Sequence, residues 1–270
     1  MFTKLTSSLF VSAALLAAAL SATACGSKSP PVTTAPIAKP AIDFTAAATA
    51  IVTATDRDAT DITMDAGRHP AEFLAFLQLP PGARVGEISS GTGYTTELLA
   101  RAVGPTGAVY GQNNAFVIEK FAAAGWATRL AKPVNQNVVR VDRELDAPMP
   151  PDVTGLDAIV NVLFYHDTVW MKTDRAAMNK AIFAALRSGG TYTIVDHAAA
   201  TGHGIADVST LHRIEESLVR SEIEAAGFRF AEAGTFLRNS NDAHDWNASP
   251  SAAADKRGTS DRFVLKFVKP

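Results

Sequence analysis

From about residue 70 to the end of the chain, short apolar runs alternate with stretches whose apolar residues recur at helical spacing. Ala71 to Leu79 reads as a helix stopped by Pro80, Pro81 and Gly82, and Arg84 to Ile88 as a first strand. Thr95 to Val103 follows as a helix with a stripe of Leu98, Leu99, Ala102 and Val103, closed by GPTG at Gly104 to Gly107. Strands are then predicted over Ala108 to Gly111, Val138 to Val141, Ala158 to Phe164 and Tyr192 to Val195, with helices over Val117 to Ala124 and Arg175 to Leu186.

Such alternation implies a mainly parallel sheet covered by helices on both faces. Simple alternation then ends. Leu211 to Ala226 is predicted helical, Phe228 to Glu232 a strand, and RFVLKFV at Arg262 to Val268 a last strand whose alternating character suits an antiparallel C-terminal edge. The expectation is therefore an α/β, Rossmann-like fold. Between the last two strands, residues 239–260 are polar and irregular, a length at which a loop is functional or mobile.

The first residues have the anatomy of an export signal. Lys4 is followed by an apolar run from Leu9 to Leu20, too short for a membrane span of roughly 20 residues, and by small residues up to Ala24. Ala22, Thr23, Ala24 and Cys25 resemble a bacterial lipobox, which implies a lipid anchor at Cys25; the same small-x-small triplet also satisfies ordinary secretory cleavage. Cys25 is the only cysteine, so no internal disulfide forms. The expected organisation is a signal peptide over residues 1–24, a lipidated Cys25 with a Pro- and Thr-rich tether over 25–44, and a domain over 45–270, placed in the periplasm or cell envelope.

A net charge of −2 provides no electrostatic case for nucleic acid and leaves a small molecule as the expected substrate. In open parallel sheets ligands bind beyond the carboxyl ends of the strands, so the residues after each strand carry the reading. After the first comes SSGTGYT. It lacks the Lys of a phosphate-binding Walker loop, and Thr96 stands where a dinucleotide loop needs its third glycine. No nucleophile elbow is present either, because Glu87 and Ile88 precede the two serines.

VGEISSGTGYTTELL resembles motif I of class I S-adenosylmethionine-dependent methyltransferases, with Ser89 in place of the first glycine. The resemblance implies that Glu87 is the acid facing the methionine ammonium, that Gly91 and Gly93 line the turn beside Ser89 and Tyr94, and that S-adenosylmethionine is the cofactor. By the same resemblance Asn113 in VYGQNN takes the place of the ribose-binding acid, and Asp142 that of a residue near the adenine amino group. DAGRHPAEFLAFLQLPPGARV, VDHAAATGHG, LHRIEESLVRSEIEAAGF, FLRNSNDAHDW and GTSDRFVLKFVKP extend the similarity, over roughly residues 55 to 270, to a group of exported bacterial predicted methyltransferases.

The fourth strand runs into NVLFYHD, which places Asn161, Tyr165, His166 and Asp167 at the acceptor edge, and the fifth ends in VDH, adding His197; His212 and Arg213 follow. A neutral imidazole there is a candidate general base near pH 7. Each residue also has an ordinary role: His212 pairing with Glu215 or Glu216, Arg213 solvated, Asp167 capping a helix. No compact metal-binding spacing joins the histidines, so no metal is expected. Arg68 and Glu72, four apart, are either a helical pair or part of the site's cover. Three functions fit: an exported methyltransferase acting on a small molecule or envelope component, a non-catalytic binding lipoprotein on the same scaffold, and a metal-assisted hydrolase.

Overall fold

Asp43 opens the folded region by accepting the backbone N–H groups of Thr45 and Ala46 at 3.0 Å, which caps α1 (Phe44–Val52). The computed structural model describes residues 42–270. The export signal, the lipobox and most of the tether lie outside the described residues. Helix α2 (Ala59–Arg68) follows, then His69 in a left-handed conformation, then α3 (Pro70–Leu77) with proline at its first position. Because α2 and α3 are separate helices, Arg68 and Glu72 do not form the expected helical pair; Glu72 meets His69 instead, at 3.3 Å.

The remaining elements are β1 (Arg84–Ile88), α4 (Tyr94–Val103), β2 (Ala108–Asn113), α5 (Ala115–Val117), α6 (Ala123–Leu130), β3 (Val138–Asp142), β4 (Leu156–Val162), α7 (Asp167–Trp170), α8 (Arg175–Ala185), β5 (Leu186–His197), α9 (Val208–Leu211), α10 (Glu216–Ala225), β6 (Arg229–Gly234) and β7 (Arg262–Val268). The seven strands form one sheet in the order β3-β2-β1-β4-β5-β7-β6. Strands β1 to β5 pair in parallel, and β7 runs antiparallel to both β5 and β6.

Three details depart from the hydropathy pattern. First, β7 is antiparallel as expected but is not the edge; it fills the slot between β5 and β6, and β6 is the edge. Its two polar residues imitate a solvent face, yet both are buried. The Lys266 amine donates to the Phe76 carbonyl and to Glu232, each at 2.6 Å, and Arg262 donates to the carbonyls of Gly67, Gly258 and Ser260. Second, the helix expected over Leu211 to Ala226 is broken at His212, which adopts φ 59° and ends α9; Ile214 then bridges to Ala198, and α10 starts at Glu216. Third, a π turn over Ile118–Ala122 divides α5 from α6 where one helix was expected.

Both faces of the sheet are covered. Ile88, Trp126, Ile159, Met178, Tyr192 and Phe267 pack on one, and Val85, Leu98, Leu99, Val109, Val160 and Val264 on the other. Strand residues buried on alternate faces in this way leave no hydrated side along the centre of the sheet. Polar side chains of α2 are spent inward too. Asp61 receives Arg129 at 2.6 Å and Asp65 receives the Tyr94 hydroxyl at 2.6 Å, so α2 is tied across α4 and α6 just above the loop after β1.

Candidate functional site

Glu87 is the penultimate residue of β1 and is 3% exposed. Burial raises its pKa from 4.5 to about 7, although the Thr96 hydroxyl donates to its carboxylate and Arg68 lies near enough to oppose the shift. Ser89 then takes φ 55°, the left-handed region that costs a residue with a Cβ about 1 kcal/mol. The conformation is held by the Gln112 side chain, whose Oε1 accepts the Ser89 N–H at 2.9 Å. Gly93, at φ 87°, has no room for a Cβ: one would lie 2.7 Å from Arg129 Cγ and 2.8 Å from the Trp126 ring. Gly91 is open, with nothing within 4 Å of a Cβ placed there.

Asn113 stands where the resemblance expects a ribose ligand, but its amide is engaged on the loop itself. Its Oδ1 accepts the Gly91 N–H at 2.8 Å and its Nδ2 donates to the Gly91 carbonyl at 3.1 Å. Both hydrogen-bonding ends of the side chain are thus used to brace the turn. Asp142 lies at the end of β3, exposed, and pairs with Arg140 at 2.8 Å. Asn161 is fully buried between β1 and β5, with neither end of its amide partnered. The loop after β1 therefore combines a buried acid with an open glycine, while the side chain at the expected ribose position is already engaged.

At the ends of β4 and β5 the expected residues divide. His166, Asp167, His197 and His212 converge: the His166 ring centroid is 5.7 Å from that of His197 and 4.4 Å from that of His212. His166 Nδ1 is 2.6 Å from Asp196 Oδ1, and its backbone N–H donates to the other oxygen of Asp196 at 2.8 Å. Burial by itself would lower the pKa of this imidazole; the Asp196 and Asp167 carboxylates outweigh it and raise the value to about 10. With Nδ1 engaged by Asp196, the ring nitrogen of His166 left for other chemistry is Nε2, which has no hydrogen-bond partner. His212 is a quarter exposed with its pKa lowered by burial and by His166, and His197 is held well below the ordinary value for the same reasons.

Tyr165 and Arg213 do not join them. The Tyr165 hydroxyl donates to Glu222 at 2.8 Å, accepts from Asn179 at 2.8 Å and is buried in the core. Arg213 has no exposure; it forks onto Asp242 at 2.8 and 3.2 Å and donates to the carbonyls of Ala198 and Trp246. Its work is to tie residues 239–260 to the end of β5.

That loop roofs a cavity of about 270 Å³ whose wall carries Arg68, His197, Arg257 and Arg262, with no acidic residue on it. Arg262 is 4% exposed and meets only carbonyl oxygens; burial, followed by the Arg68 charge, lowers its pKa to about 10. Arg68 reaches over the Tyr94 ring, 4.7 Å from its centroid, and so belongs to the site's cover. Arg257 and Arg262 were not legible as site residues. Their only sequence signal is position, one in the irregular loop and one at the first residue of β7.

A parallel sheet of this strand order with an acid-then-glycine loop after β1 defines the class I S-adenosylmethionine-dependent methyltransferase fold. The protein-L-isoaspartate(D-aspartate) O-methyltransferase family model matches residues 43–139, the segment from α1 into β3 that contains motif I. The chain is similar to a SAM-dependent methyltransferase from Aquifex aeolicus, at 16% identity and TM-score 0.54, over 79% of this chain and 94% of that one. A candidate sarcosine dimethylglycine methyltransferase from Galdieria sulphuraria gives 16% identity and TM-score 0.56 over 79% and 89% of the two chains. The [4+2]-cyclase SpnF gives 14% and 0.51 over 81% and 83%. No curated protein matches the sequence. The chain thus has the class I methyltransferase fold, with the family-model similarity confined to residues 43–139.

Proposed function

We propose that the protein is an S-adenosylmethionine-dependent methyltransferase whose acceptor is a small molecule or envelope component carrying a carboxylate. The observation that carries this reading is the cationic cavity beside motif I, where three arginines and a histidine face one space with no acid among them. Guanidinium groups bind planar carboxylates in a fork, and an unneutralised buried cation favours an anion strongly. The matched family model describes an O-methyltransferase of an aspartate-type residue, which is itself a carboxylate.

S-adenosylmethionine supplies an electrophilic methyl group. Glu87, once ionised, would meet its ammonium, and the open backbone at Gly91 would take its methionine portion. An acceptor carboxylate arrives already ionised, so the chain needs to orient it and exclude water rather than remove a proton. With a methyl group so supplied, an acceptor carboxylate oxygen would take it through its own lone pair, the C–S electrons would stay with sulfur, and no proton would need removal.

The test has two arms. Calorimetry is expected to show saturable binding of S-adenosylhomocysteine by the wild-type chain and none by Glu87→Ala. Arg257→Glu, at an exposed position, is expected to keep that binding and to lose at least tenfold in labelled methyl transfer to a pool of acidic metabolites. Absence of binding by the wild type overturns the function; undiminished transfer by Arg257→Glu overturns the acceptor class.

We also propose that the protein is exported and held at the cell envelope through Cys25. The support is the order of Lys4, the apolar run and the small residues before that cysteine. Among the described residues no helix is long and apolar enough to cross a membrane. Cys25→Ser is expected to move the protein from the membrane fraction to the soluble one, and an unchanged distribution in fractionated cells would refute the anchor.

A further inference from the structure

His166, Asp167 and His212 bring three ligand atoms within 4.8 Å of one another. His166 Nε2 is 3.3 Å from Asp167 Oδ1, and His212 Nε2 is 3.5 Å from the same oxygen. Ligands bound at about 2.0–2.1 Å around a tetrahedral zinc lie roughly 3.3–3.4 Å apart. The two measured separations therefore already suit an ion between the groups.

A second observation points the same way. His166 is 1% exposed, yet its Nε2 has no hydrogen-bond partner, the Asp167 contact being poorly aligned for one. A buried imidazole nitrogen without a partner is costly unless something occupies its lone pair. The opposite nitrogen is fixed: Asp196, fully buried, holds Nδ1 at 2.6 Å and also accepts the backbone N–H groups of His166 and His197 at 2.8 Å. A carboxylate behind one nitrogen, aiming the other outward, is the arrangement that orients histidine ligands in metal sites.

His212 is placed at a cost. Its backbone sits at φ 59°, a region non-glycine residues seldom occupy, and this turn at the end of α9 ends the helix one residue before Arg213 anchors the chain. Asp167 is restrained as well, since the Trp170 indole donates to its Oδ1 at 2.7 Å.

We infer that His166, Asp167 and His212 bind a divalent first-row transition ion, zinc-like in its preference for two imidazoles and a carboxylate, with a fourth position open to water or an acceptor oxygen. Three protein ligands with an open place mark a catalytic site rather than a structural one. The inference stands apart from methyl transfer, because its test needs no cofactor.

The full chain, stripped with chelator, would be titrated with Co²⁺ and followed by its visible d–d absorption, then with Zn²⁺ by calorimetry. One equivalent is expected with tetrahedral-type intensity. Asp167→Asn and His212→Ala are expected to bind at least tenfold more weakly with circular dichroism unchanged. His203→Ala removes a histidine that pairs with Asp207 at 2.8 Å outside the cluster, and it should bind as the wild type does. No saturable binding, or a His212→Ala variant that binds like the wild type, would overturn the site.

Discussion

Raising the pH from 6 to 8 is expected to tighten S-adenosylhomocysteine binding about tenfold. The ligand's ammonium requires the ionised form of Glu87, whose pKa is raised by burial to about 7. At pH 6 roughly a tenth of the carboxyls are ionised and at pH 8 roughly nine tenths, which sets the factor. Calorimetric titrations across this range would measure it, and Glu87→Gln should flatten the profile while weakening binding throughout. A wild-type profile as flat as the variant's would show that the ammonium lies elsewhere. The sign for stability is opposite. An acid with a raised folded-state pKa contributes fully below about pH 4.5, and that contribution is lost as pH rises through about 7; by then Glu87 costs the unliganded fold ~3 kcal/mol. Ligand binding thus recruits a charge that the empty fold disfavours.

Arg213→Ala is expected to destabilise the protein by about 3–5 kcal/mol, the cost of removing one partner from a buried ion pair. Asp242 would be left buried without its counter-ion, and the carbonyls of Ala198 and Trp246 without a donor. Arg213→Lys should recover only part of the loss, because an ammonium cannot span both carboxylate oxygens and both carbonyls from one plane. Urea unfolding of the three proteins would measure the series. A loss below 1 kcal/mol for the alanine variant would mean that residues 239–260 hold their place by other contacts.

How much could be read in advance follows from which forces hydropathy reports. β1 is a short run around Val85 and Ile88, bounded by Pro81-Gly82 and by the glycine-containing turn after Ser90, so its limits were plain in the sequence. Helix α2 was not legible, since Asp61, Asp65 and Arg68 look like a solvated face while in fact pairing or facing inward. The same blindness hid the place of β7, whose Arg262 and Lys266 are polar but covered. At the candidate site, strand ends announced His166, Asp167 and His197, because strand position alone fixes the rim on which they stand. Direction along that rim is a tertiary property. Nothing local tells that Tyr165 turns toward Glu222, that Asn113 clasps Gly91, or that His212 leaves helical geometry to meet Asp167.

The insertion of β7 between β5 and β6 sets the order in which the molecule can be completed. Its seven residues follow both neighbours in sequence, yet they occupy an interior lane between them. Until a nascent polypeptide has released them, β5 and β6 each present an unsatisfied ladder, the kind of surface on which foreign strands add. Closure over so large a sequence separation is slow compared with helix formation. A chain cut short before Arg262 would therefore lose more than one strand: it would leave open the borders of β5 and β6 that β7 closes in the intact sheet.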